Sequence, residues 1–311
     1  MYYPSLVSPI YLLTVMMIGM MIYDRVWQSR GKSLGLTFNI MFLSVIVISV
    51  ILHAITFGGF MWAFQFLAVC AFIPYLIEII GINTGVPFGK YKYGDAIGPR
   101  LPLGIPFAVA GTWMITLYCS FILNVYLGVC LERLQFEMNC KPYEFFGVNE
   151  NCNFAEVSIR FLMMTSLYAV FFDRIIEPLA VKHNYWSWEQ ERAAPSLFTR
   201  LLGNPWQNIP TVNFIGWFIT AFVTLYIATQ FIYFNSDTSF PWRPVTRNAL
   251  PILWGGCALW YLSGAANKFG LIKIAGISRL AGKLFVIFFL YIAYLHFGHF
   301  PHISIHDPGR M

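Results

Sequence analysis

The sequence predicts an all-α, polytopic membrane helix bundle, and three observations predict it. Fifty-eight per cent of the 311 residues are hydrophobic and only 11% are charged, which leaves too little polar surface to cover a water-soluble globule. Apolar runs long enough to cross a ~30 Å hydrocarbon core recur along the chain. Lysine and arginine alternate between the connections of those runs in the way that membrane insertion favours.

Taken in order, the runs cover residues 4–23, 34–55, 59–80, 103–130, 155–181, 211–234, 248–266 and 280–298, giving about eight transmembrane helices in a single integral membrane domain, 1–311. The first run has no basic leader and no small-residue cleavage site after it, so it is expected to be a retained helix rather than a signal peptide. With the N-terminus outside, the inner connections hold Arg25, Arg30, Lys32, Lys90, Lys92, Arg100, Lys182, Arg192, Arg200, Lys268, Lys273, Arg279 and Lys283, whereas the outer segments hold Arg133, Lys141, Arg243, Arg247 and Arg310. That bias predicts extracytoplasmic termini in the cell membrane and accounts for most of the net charge of +6 without nucleic acid.

Between the third and fourth runs lies a connection dense in glycine and proline, from Gly81 through Asn83, Gly85, Pro87, Gly89, Gly94, Gly98, Pro99, Pro102, Gly104 and Pro106. It cannot be one helix, because proline removes backbone donors and glycine admits unusual backbone angles. A shaped cytoplasmic loop is expected. Within it Tyr91 and Tyr93 are two apart, which on an extended strand points both phenols the same way; interfacial belt tyrosines are the plainer reading.

Ionisable groups in apolar runs point to function, since a charged side chain at mid-membrane costs at least ~2.5 kcal/mol. Three stand out: Glu78, Asp173 and Glu177. Asp173 and Glu177 are four apart and share a helix face, where two poorly solvated carboxylates cannot both ionise cheaply. One is expected to hold a proton, as a general acid must, with its partner able to accept one from water. An ion-paired helix end using Arg174 or a loop lysine is the structural alternative. Trp186 and Trp188 follow, then Asn213 and Trp217; rings beside carboxylates belong either to the membrane interface or to the wall of a site that steadies a developing cation.

The order and spacing of Glu78, Asn83-Thr-Gly-x-Pro-Phe-Gly-x-Tyr91-x-Tyr93, Gly104-Ile-Pro106 with Trp113, Asp173-x-x-x-Glu177-Pro, Trp186-x-Trp188 and Asn213-Phe-x-Gly-Trp217 resemble the membrane carotenoid biosynthesis family, which includes the carotenoid 1′,2′-hydratases and bisanhydrobacterioruberin hydratase. The motif-bearing core is about 78–217. Glu177 stands where the family pattern places aspartate before the proline, and 189–209 is longer than the pattern. The resemblance implies hydration of a terminal C=C bond of a linear carotenoid to a tertiary alcohol, without cofactor or metal, with water and the polyene as substrates and association with other carotenoid enzymes left open. Alkene hydration needs an acid and a guarded water, so Asp173 is assigned as proton donor, Glu177 as its partner and Glu78 as the residue that activates or positions water, with Glu78 able to exchange roles with either of the others. Asn83, Tyr91, Tyr93, Trp113, Trp186, Trp188, Asn213 and Trp217 would bind substrate, toward the cytoplasmic face.

Other signals are weaker. His296, His299, His302 and His306 have helical spacing, but Pro301 interrupts them and they are terminal. Cys140 and Cys152 lie in an acidic outer connection, where a disulfide or two unpaired thiols are both open. Gly255-Gly256 and Ser263-Gly264-Ala265-Ala266 suit close helix packing. Lys283 lies at an inner helix end, which does not suit a retinal Schiff base. A transporter of a small solute would also carry membrane carboxylates and broken helices, and a carotenoid-binding or isomerising protein would share the family features; the two halves of this chain show no internal repeat.

Overall fold

The computed structural model describes residues 6–30, 36–138, 159–189, 209–230 and 249–297. Eight helices form the bundle among them: α1 Val7–Ser29, α2 Leu36–Gly58, α3 Phe60–Thr84, α4 Phe107–Met138, α5 Ile159–Lys182, α6 Thr211–Gln230, α7 Leu250–Lys268 and α8 Ile272–Phe297. Six of them, α1, α2, α3, α4, α6 and α8, are long and apolar enough to cross a membrane by length and composition. α5 falls short because Arg160, Asp173, Arg174, Glu177 and Lys182 interrupt it. Large apolar side chains such as Leu12, Val15, Phe64 and Leu280 remain exposed, as a lipid-facing surface requires.

Sequential helices pack on one another except α6 and α7; α3 also meets α6, while α7 joins α1, α4 and α5. α4 is the central helix: Trp113, Leu117, Tyr118, Phe121 and Ile122 have no exposed surface. α7 and α8 approach closely through glycine. A Cβ on Gly282 would come 2.9 Å from the carbonyl oxygen of Gly256, and one on Gly256 would meet Gly282 at 3.1 Å. Gly264 leaves room for Arg25, whose Nη1 donates to the carbonyl of Tyr261 at 2.9 Å. The small residues of α7 thus serve packing, as their composition suggests.

Several boundaries differ from expectation: α1 runs to Ser29 rather than 23 and α4 to Met138 rather than 130. α8 begins at Ile272 rather than near 280, so Lys273, Arg279 and Lys283 are helical and Lys283 is not at a helix end. All three are exposed while Ile274, Ala275, Ser278 and Ala281 pack inward, and long cationic side chains on an outer face can reach water along the helix.

The loop between α3 and α4 and the segment after α5 meet in an antiparallel two-stranded ribbon. Strand β1, Tyr91–Tyr93, pairs with β2, Trp186–Trp188, placing Tyr91 opposite Trp188, Lys92 opposite Ser187 and Tyr93 opposite Trp186. Alternation then puts all four aromatic rings on one face and Lys92 with Ser187 on the other. Lys92 closes an exposed ion pair with Glu189 at 2.8 Å.

Candidate functional site

Every element of the site is held at one end of the bundle, where α1, α3, α5 and α7 finish and α2, α4, α6 and α8 start. The ribbon lies across that end. Gly85, at φ 82°, terminates α3 in the left-handed conformation that glycine tolerates, and turns the chain back so that Phe88 can insert. Phe88 is buried against Gly81 and Gly216, where a Cβ would stand 2.9 Å and 2.7 Å from its ring. Gly94 lies against the backbone of Asn184, so close that any Cβ would overlap its carbonyl oxygen.

These contacts enclose a cavity of about 460 Å³, within the range of small-molecule sites. Glu78, Asp173 and Glu177 all line it, although they come from different helices or turns, and each is at least nine-tenths buried. Glu78 is fully engaged: Trp113 Nε1 donates to Oε1 at 2.9 Å, and both Tyr93, at 2.7 Å, and Tyr91 donate to Oε2. Burial and the neighbouring Glu78 push both phenols well above the ordinary tyrosine range, so they remain neutral donors.

Asp173 and Glu177 share a donor. Asn213 Nδ2 reaches Asp173 Oδ2 at 3.2 Å and Glu177 Oε1 at 2.9 Å, and Trp186 Nε1 donates to Glu177 Oε2 at 2.7 Å. Both oxygens of Glu177 are therefore occupied. Asp173 Oδ1 has no protein donor among the described residues, making it the least committed oxygen of the three acids. The ion-pair alternative is not what the described contacts display: the donors are an amide and an indole, and the Arg174 guanidinium lies 5.2 Å over the Phe214 ring.

Trp113 and Trp217 stack at 3.7 Å between ring centres, and Tyr91, Tyr93, Trp186 and Trp188 complete the aromatic wall. Asn83 is elsewhere. It is exposed, absent from the cavity wall, and donates to the Ile79 carbonyl of its own helix at 2.6 Å.

A fourth carboxylate was not singled out in the sequence. Asp24 of α1 is buried and lines the cavity, accepting from Gln28 Nε2 at 2.5 Å and from the Tyr261 hydroxyl. His183, Tyr185 and Lys268 stand on that side too. Asp24 ends an apolar run just as Glu78 does, and the same cost of burying charge could have flagged it. The adjacent Arg25 makes the pair read as an ordinary solvated helix end.

Among the described residues no group of three His, Cys, Asp or Glu side chains is arranged to hold a metal. The side chains of His296, His299, His302 and His306, and Cys140 and Cys152, lie outside the described residues. Cys70, Cys119 and Cys257 are free.

The model of one family, described as carotenoid biosynthesis protein, matches residues 37–277, which takes in every helix from α2 to α7 and both strands. The chain belongs to the carotenoid biosynthesis protein family. Among curated relatives it is similar to the bisanhydrobacterioruberin hydratase of Haloarcula japonica, with 26% identity over 214 residues, covering 66% of this chain and 59% of that one. The chain thus spans less than two thirds of the relative's length. No solved structure matches it. α1, and with it Asp24, lies before the part that matches the family.

Proposed function

We propose that this member of the family hydrates a terminal trisubstituted C=C bond of a linear carotenoid, giving a tertiary alcohol. The observation that supports this best is the buried Asp173–Glu177 pair, bridged by Asn213 and facing an aromatic-walled cavity. In this reading Asp173 gives a proton to the less substituted alkene carbon. The C–H bond forms from the π electrons and leaves a tertiary cation. Water then forms the C–O bond and loses a proton to the carboxylate pair, which restores the acid. The balance is alkene plus water to alcohol, with no change of oxidation state and no cofactor.

Each side chain has a part. Asp173 suits the donor role because its Oδ1 is the uncommitted oxygen, and Glu177, held by Trp186 and Asn213, is the partner that keeps one proton on the pair. Glu78 is bound by three donors, so its part is to hold the tyrosine ribbon and Trp113 in place and to keep a negative charge near the cation, more than to move water. The ring faces of Trp113, Trp217 and the ribbon attract the cation. The polyene would extend from the cavity among apolar helices. Because Lys90, Lys92, Arg100 and Lys268 flank this end, the site faces the cytoplasm and both termini lie outside.

The test is expression in cells that make acyclic carotenoids, beside Asp173→Asn, with pigments analysed by mass spectrometry. A gain of one water per modified end, absent in the variant, supports hydration. Unchanged pigment in the wild type rejects it and leaves a binding or transport role, while isomerised pigment of equal mass indicates an isomerase.

A further inference from the structure

Behind the stacked tryptophans runs a column of buried polar side chains that the chemistry above does not use. Ser120 and Asn124 lie seven and eleven residues beyond Trp113 on α4, and Thr220 and Thr224 lie three and seven beyond Trp217 on α6. On α5, Ser166 and Thr165 precede Asp173 by seven and eight residues. Spacings of seven and eleven return to nearly the same helix face, and α4 and α6 leave the loop end while α5 approaches it. Ser120, Thr224 and Ser166 therefore sit at a common depth, roughly 10 Å beyond the tryptophan pair and Asp173, with Asn124 about 16 Å beyond.

All six are completely buried. Some satisfy themselves: Thr165, Ser166 and Thr224 donate to carbonyls of their own helices, and Asn124 Nδ2 donates to Thr165 Oγ1 at 2.9 Å and to the Phe161 carbonyl at 3.0 Å. Three atoms do not. Ser120 Oγ, Asn124 Oδ1 and Thr220 Oγ1 are buried with no partner among the described residues; Ser120 and Asn124 are about one turn apart on α4, and Thr220 is on α6, nearer the tryptophans by about one turn than Ser120. Buried polar atoms of native proteins are satisfied either by protein or by internal water, which typically makes about three hydrogen bonds. A hydroxyl, an amide oxygen and a second hydroxyl, spread over roughly 12 Å of depth and flanked by the carbonyl-bound hydroxyls of α5 and α6, suit a file of successive waters rather than a single one.

We propose that α4, α5 and α6 hold a column of internal water along Ser120, Asn124 and Thr220, and that this column supplies the water taken up at the carboxylate pair. The second clause rests on the hydration reading; the first does not. The supply would enter past the Trp113–Trp217 stack, leaving the aromatic cavity to the alkene. Such separation limits the water that meets the cation to what the column delivers.

The column is tested on the full chain in lipid nanodiscs by millisecond radiolytic hydroxyl labelling, which oxidises side chains that touch bound water. Phe121 and Phe161, buried beside the column, are expected to be labelled, whereas the equally buried Met17 on α1 is not. Thr220→Val and Ser120→Ala should abolish that labelling and lower the melting temperature by roughly 2 °C each, since each removes a satisfied hydroxyl. Unlabelled phenylalanines, or a melting temperature unchanged or raised by these variants, overturn the column, because deleting an unsatisfied dry hydroxyl relieves a cost. For supply, the double variant should lose on the order of tenfold in kcat with KM unchanged, and a wild-type kcat overturns that role. A wild type that hydrates nothing refutes the hydration reading and the supply role with it, while labelling and melting still decide the column.

Discussion

Replacing Asn213 by alanine removes the one donor that the two central acids share among the described residues, and its effect follows from the contacts. Nδ2 makes two hydrogen bonds, at 3.2 Å to Asp173 and 2.9 Å to Glu177, in a position 1% exposed where water does not readily substitute. On the proposed reading one acid is protonated and the other ionised, so one bond is charge-assisted, worth about 2 kcal/mol, and the other is neutral, worth about 1 kcal/mol. Glu177 keeps Trp186, but Asp173 is left with no donor among the described residues. If the ~3 kcal/mol is expressed in the transition state, kcat falls by about two orders of magnitude. Purified Asn213→Ala in nanodiscs, assayed for hydration under single turnover and for melting temperature, separates this from general unfolding. Asn213→Asp should be worse still, because it crowds a third carboxylate against the pair. A kcat within about twofold of wild type in folded Asn213→Ala would refute the bridging role.

Other perturbations follow from the same geometry. Tyr93→Phe and Trp113→Phe each remove one of the donors to Glu78 and should lower stability by about 1–3 kcal/mol, read as a loss of melting temperature; an unchanged melt would show the donor to be dispensable. Gly94→Ala drives a Cβ into the Asn184 backbone and should abolish docking of the ribbon and activity together. Gly19→Ala, a helical site with nothing within 4 Å, should instead gain up to ~1 kcal/mol from helix propensity, and equal effects of the two would contradict the packing argument. The exposed Lys92–Glu189 pair has a defined pH window. Glu189 titrates below the usual glutamate range and Lys92 above the usual lysine range, each because of the other, so their small mutual stabilisation is complete at neutral pH. It should fade as pH falls through the lowered value of Glu189 or rises through the raised value of Lys92, and vanish in molar salt; a Glu189→Gln variant whose melt still follows the wild-type pH curve would contradict it.

Much of the site was legible because the membrane makes certain residues expensive. A carboxylate in an apolar run has few reasons to be there, and Glu78, Asp173 and Glu177 do meet at one cavity. Period-two spacing gave the common face of Tyr91 and Tyr93, and the same rule applies to Trp186 and Trp188. What local spacing could not show is that these two segments pair with each other across some ninety residues of sequence, since register is a non-local property. Asn83 sits in the motif yet hydrogen-bonds its own helix, because at a helix end an amide finds a backbone carbonyl more readily than a ligand. Asp24 falls just past the apolar run that ends at 23, beside Arg25 of the inner connection, whereas the arginine turns to α7 and leaves the acid in the cavity. The start of α8 was misplaced for a related reason: cations on an outward face read as loop when only net hydropathy is weighed.

On the proposed function, water is added across a terminal alkene by a buried carboxylic acid. Purified wild-type protein given an acyclic carotenoid in deuterated, oxygen-18-enriched water tests it most directly. The expected product is an alcohol carrying one heavy oxygen on the tertiary carbon and one deuterium on its neighbour for each modified end. Recovery of unlabelled carotenoid, or of a product with deuterium but no heavy oxygen, would contradict it.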